Sequence, residues 1–138
     1  MDRRSYLKVA GVVGIGALVG FEQFRRSGRE GRVFWRQMAV DADGEPGSLV
    51  VLTESRQDDG TVERTVHPDY RTAFENGSRV PKTLHRTLQR QYGLDEPYYL
   101  LRYEGHDCNG IPSDEGDGFV EVSRHEFNRF QVGDCIKR

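Results

Sequence analysis

Lysine is nearly missing from this chain of 138 residues. Only Lys8, Lys82 and Lys137 occur, so arginine carries almost all of the 20 basic charges. Beyond residue 27 the chain holds 15 basic against 20 acidic side chains, a net charge of −5. Such a surface repels polyanions, which excludes nucleic acid as the expected partner. Methionine is equally scarce. Met38 is the only one after the initiator, so a blue-copper site with an axial methionine has little to draw on. Long apolar runs are absent too. The longest uncharged stretch, Val9 to Phe21, is 13 residues and contains Gly11, Gly14, Gly16 and Gly20. As a helix it covers roughly 20 Å, against roughly 30 Å of hydrocarbon core. No strong catalytic signature interrupts the rest, so the sequence specifies an address and a fold class, not a reaction.

What is present begins at the N-terminus. Arg3-Arg4-Ser5-Tyr6-Leu7-Lys8 precedes the short, glycine-rich apolar run. Paired arginines, a spacer, an aromatic, Leu and Lys resemble a twin-arginine export signal of prokaryotic proteins, and the acid excess with scarce lysine resembles those of salt-loving archaea. The resemblance implies Arg3, Arg4, Tyr6, Leu7 and Lys8 as the signal, and the twin-arginine translocation machinery as a partner. It also implies a domain outside the cytoplasmic membrane, tethered or secreted. Leu18-Val19-Gly20 is similar to the start of a lipoprotein box, but Phe21 replaces the cysteine that would carry lipid. No A-x-A-like cleavage site stands out. Uncleaved, residues 6–24 would reach roughly 28 Å as a helix, with Lys8 and Arg25 at its ends. Cleaved signal and retained anchor both stay open, as does a chance arginine pair before a membrane-seeking or buried helix.

The expected organisation is a signal or anchor over residues 1–24, a basic flexible linker over 25–32, and one small β-rich domain over 33–138. Val33 to Val40, Leu49 to Thr53 and Thr61 to Val66 read as strands joined by short turns. A short helix over Asp69 to Glu75 follows, then a firmer one opened by Pro81 and closed by Gly93, with Leu84 and Leu88 one turn apart. Tyr98 to Tyr103 and Phe119 to Val122 are two more strands. Ser123 and Glu126 form a capping box for a short helix carrying Phe127, and Cys135 to Lys137 is the last strand. This closing module resembles that of SH3-like or OB-like barrels. The predicted class is α+β: an N-terminal signal or anchor helix, then a small antiparallel β-barrel or curled sheet of about six strands with inserted short helices.

Cys108 and Cys135 are the only cysteines. On an exported chain an even pair reads as a disulfide. Two unpaired thiols, or ligands and nucleophiles, are the alternatives. His106, Asp107, Cys108, His125 and Cys135 offer nitrogen and sulfur ligands for zinc or copper, without the spacing of a zinc finger. A cofactor is not expected. His67 and His85 read as ordinary surface histidines. Asp41, Asp43 and Glu45, like Asp114, Glu115 and Asp117, read as solvated acidic turns, since neither follows an EF-hand order. Asn76-Gly77-Ser78 is a glycosylation sequon, with Asn76 the acceptor.

Two functional classes fit. One is a non-catalytic extracytoplasmic module, held near the membrane by its N-terminal helix, that binds an envelope protein or other envelope component. The other is a small metal-binding or thiol-dependent enzyme using His106, Cys108, His125 and Cys135.

Overall fold

The structure is a computed structural model, and it describes residues 30–105, 108–109 and 117–137. The signal residues Arg3 to Lys8, the anchor over 1–24 and His106 lie outside the described residues. Among the described residues no helix is long and apolar enough to cross a membrane.

Six strands form one antiparallel sheet: β1 (Glu30–Val40), β2 (Leu49–Arg56), β3 (Val62–Val66), β4 (Tyr98–Gly105), β5 (Gly118–Val122) and β6 (Cys135–Lys137). Their order is β3-β2-β1-β4-β5, with β6 also on β1. Among the described residues two α-helices accompany them, α1 (Lys82–Tyr92) and α2 (Arg124–Arg129), plus 3₁₀ segments over Ala42–Gly44 and Pro68–Phe74.

The sheet corrects the expectation of a barrel, for it does not close. β1 is paired by β4 along nearly its whole length on one side. Its other side is shared end to end: β6 takes Glu30–Arg32 and β2 takes Trp35–Val40. Irregularities in β1 at Val33/Trp35 and Met38/Ala39 accommodate that division. Closure would need β3 to meet β5, and no such pairing exists among the described residues. β3 instead stays an edge with Val62 48% exposed. The sequence also placed the first strand three residues late: it starts at Glu30, where β6 pairs with it.

Alternation assigns the two faces. Arg36 and Met38 on β1 lie beside Glu54 and Leu52 on β2 and beside Leu101 and Tyr99 on β4. Val120 and Val122 of β5 extend that row. This is the covered face. Leu84 and Leu88, four apart on α1, are buried in the same core as Phe74, Val80 and Phe127. The Tyr99 and Phe127 rings meet at 5.1 Å between centroids. Trp35, Gln37, Leu100 and Arg102 project from the opposite face, where Arg102 lies over the Phe34 and Trp35 rings at 5.3 and 5.9 Å.

At the far end of β4, Tyr103 needs two glycines. Its ring lies so close to Gly31 and Gly118 that a Cβ at either position would collide with it. The backbone approach, not a special φ angle, demands glycine at both places.

Candidate functional site

The site is assembled around a charge in the core. Arg36 has no exposed surface and pairs with Glu54 across the β1–β2 ladder. Its Nη2 donates to the Phe127 carbonyl at 2.6 Å, its Nη1 reaches the Ser78 carbonyl at 3.4 Å, and its guanidinium lies 3.7 Å over the Phe127 ring. Glu54 in turn accepts from the Ser78 hydroxyl at 2.5 Å. Burial pulls the Arg36 pKa down, and the Glu54 hydrogen bond and charge, then the Asp134 charge, oppose that fall. One guanidinium thus ties two pieces to the sheet: the segment leading to α1, through Ser78, and α2, through Phe127.

α2 forms where the sequence placed it. Ser123 accepts from the Glu126 amide at 3.1 Å, the Glu126 side chain returns to the Ser123 amide, and Phe127 is buried. The helix then grips the segment before α1. Asn128 Oδ1 accepts from the Val80 amide at 2.7 Å, and its Nδ2 donates to the Val80 carbonyl at 3.1 Å. Arg124 donates to the same carbonyl at 3.1 Å.

Between these walls runs an open groove of about 570 Å³, lined by Arg79, Val80, Pro81, Arg124, His125, Asn128 and Arg129. Three arginines face it and no carboxylate does. Among the described residues, none of those arginines forms an ion pair. Arg79, His125 and Arg129 are exposed, and Arg129 also lies 5.3 Å over the Phe130 ring. An arrangement of this kind binds an anion. Planar guanidinium groups of this kind hold an anion by charge-assisted hydrogen bonds.

Cys108 and Cys135 are joined in a disulfide, with Cα atoms 5.6 Å apart. The Glu30 carboxylate lies close enough to both sulfurs to suggest a metal triad. Bonded sulfurs are not thiolates, however. Glu30 has another occupation there, accepting from the Cys108 amide at 3.0 Å. His125, assigned by sequence to the same ligand set, sits in the groove instead and is no member of that cluster.

Several residues do more than their sequence context indicated. Asp41 is buried, accepts from the Gly47 amide at 2.9 Å and faces Tyr98, so it staples a loop rather than decorating a solvated turn. Asp43 and Glu45 are exposed, as is Asp117, while Asp114 and Glu115 lie outside the described residues. His67 caps the 3₁₀ segment by accepting from the Asp69 amide. The His85 ring bonds the Tyr99 hydroxyl at 2.6 Å and stacks on its ring. Asn76 is exposed, but Ser78 of its sequon is engaged by Glu54. Sequence reasoning passed over Arg36 and Glu54 altogether. The signal was available, because Arg36 alternates in phase with Met38, and Glu54 with Leu52.

No family model, no curated protein and no solved structure matches the chain.

Proposed function

We propose that this protein is an exported or membrane-tethered, non-catalytic binding module that works outside the cytoplasmic membrane and takes its ligand in the arginine-lined groove. The observation that carries the reading is the groove itself: three arginines without carboxylate partners among the described residues, on walls fixed by a shared buried ion pair. The Cys108–Cys135 disulfide supports the address, since glutathione and thioredoxin keep such pairs reduced in the cytosol. The twin-arginine-like start supplies the route, through the translocation machinery, with the N-terminal helix as membrane tether and an envelope component as ligand.

Protease added to intact cells tests the address. The domain of the natural protein is expected to be accessible, and the Arg3→Lys, Arg4→Lys double variant to be retained inside. Undiminished export of that variant refutes the twin-arginine assignment. Metal analysis of the purified protein tests the non-catalytic reading, and stoichiometric zinc or copper would overturn it.

A further inference from the structure

The charge of the groove opposes that of the domain around it, and this contrast narrows the ligand. Residues 28–138 carry a net charge of −5, yet the groove gathers Arg79, Arg124, Arg129 and His125 with no acidic side chain among its lining. A long polyanion or an anionic membrane would gain in the groove but would also face the net negative charge of the domain as a whole. A short acidic segment gains without that penalty.

The backbone contacts narrow it again. A peptide can bind by adding a strand only where backbone groups are vacant. Val80 is the buried floor residue, and both its amide and its carbonyl are taken by Asn128 and Arg124. Recognition here falls to side chains, chiefly the exposed guanidinium forks of Arg79 and Arg129. Such planar forks match carboxylates bidentately, which the point charge of lysine does not. The walls are also set in advance. Arg36 holds the Ser78 carbonyl on one wall and the Phe127 carbonyl on the other, so little ordering remains to oppose binding.

Resting on the reading of this groove as the binding site, we infer that it docks a short aspartate- or glutamate-rich segment of an extracytoplasmic partner protein, held by Arg79 and Arg129.

The test uses the purified full-length protein and fluorescently labelled hexaglutamate, followed by anisotropy at low and high salt. Hexaglutamate is expected to bind, and added salt to weaken it. The Arg79→Ser, Arg129→Ser double variant should bind roughly tenfold or more weakly, the scale for two charge-assisted contacts. Its melting temperature should not move, because both side chains are exposed. Arg79→Lys with Arg129→Lys keeps the charge and loses the fork, and is expected to fall between. Equal binding by the serine variant would overturn the inference, as would no binding of hexaglutamate at all. Binding of inorganic phosphate or of phosphatidylglycerol vesicles in its place would overturn it as well. Self-association that the serine variant abolishes would give the groove to a second copy of this chain, with the same consequence. Protease accessibility and metal content are read separately, so an exported, metal-free protein that ignores hexaglutamate would lose this inference and keep the broader one.

Discussion

Replacing Glu54 by Leu should be among the most damaging single changes in this domain, and replacing its partner as well should repair much of the loss. Glu54→Leu leaves the Arg36 guanidinium fully buried without its paired carboxylate, and only the weaker influence of the Asp134 charge remains. Its direct contacts among the described residues are then the Phe127 carbonyl at 2.6 Å, the Ser78 carbonyl at 3.4 Å and the face of the Phe127 ring. Breaking one side of a buried pair costs about 3–5 kcal/mol. That is a large share of the roughly 5–15 kcal/mol that holds a domain together. Arg36→Met combined with Glu54→Leu removes both charges and fills the volume with apolar atoms, an exchange that is often near neutral. It forfeits two bonds to carbonyls, about 1 kcal/mol each, and the aromatic contact. The double variant is therefore expected to be more stable than Glu54→Leu alone. Urea unfolding of a fragment of residues 30–138, with both single variants completing the cycle, measures this. A cost below about 1 kcal/mol for Glu54→Leu, the scale of a surface pair, would show that Arg36 reaches solvent. A double variant worse than Glu54→Leu would show that Arg36 stabilises the fold even without Glu54, and would refute the cost assigned to its unpaired charge.

Reducing the disulfide should lower stability by about 3.5 kcal/mol in the chain-entropy account, given its sequence separation of 27. Two alkylatable thiols in native protein would refute the bond. Gly118→Ala should cost roughly 1–3 kcal/mol by overpacking against the Tyr103 ring, and a second change, Tyr103→Ala, should relieve the clash; an unchanged denaturation midpoint for Gly118→Ala would refute that packing. Tyr98 is pushed well above the usual tyrosine range, first by burial and then by Asp41 and Glu96. Because its folded pKa is raised, its contribution to stability is intact below the unfolded value near 10 and is lost as pH rises beyond it. Tyr98→Phe should flatten the alkaline fall in stability, and an identical pH profile for variant and natural protein would refute this.

The parts of this fold legible in sequence were those written in local chemistry. The capping box at Ser123 and Glu126 is a reciprocal bond within four residues, and it appears at α2. Leu84 and Leu88 announced the buried stripe of α1. Closure of the sheet was not written locally. It depends on whether the edge strands β3 and β5 meet, and the place of β6 is as remote: its three residues pair with the first three of β1, 103 to 107 positions away. The groove was hidden for a similar reason. Arg79 and Arg124 belong to segments 45 residues apart, brought together by Asn128 on Val80 and by Arg36, whose strand alternation places it inward but whose charge suggests the surface. His125 drew attention as a ligand because histidine and cysteine are few. Topology sent it to the groove and the cysteines to the start of β1.

The residue that holds the groove walls and the first described residue share one strand. β1 alone pairs with three others, β2, β4 and β6. Glu30 at its beginning is the first described residue, and there the strand is bound to β6, whose Cys135 is covalently tied to Cys108. Arg36 lies six residues on, about 20 Å along an extended chain, and holds both walls of the groove. In a tethered protein, a pull between membrane and bound partner would enter at Glu30 and leave through Arg36. It would run along the strand whose ladder bonds reach across the centre of the sheet. Glu30 and Arg32 brace that entry: Glu30 accepts from the Cys108 amide, and Arg32 donates to the Gly133 carbonyl at 2.6 Å. Reduction should accordingly loosen the entry corner first. Hydrogen exchange would show faster exchange at Val33 and Gly133, whose amides bond across that corner, while the Val80 amide, held by Asn128, keeps its protection. Equal acceleration at Val80 would mean that corner and groove open as one unit and that the staple does not act locally.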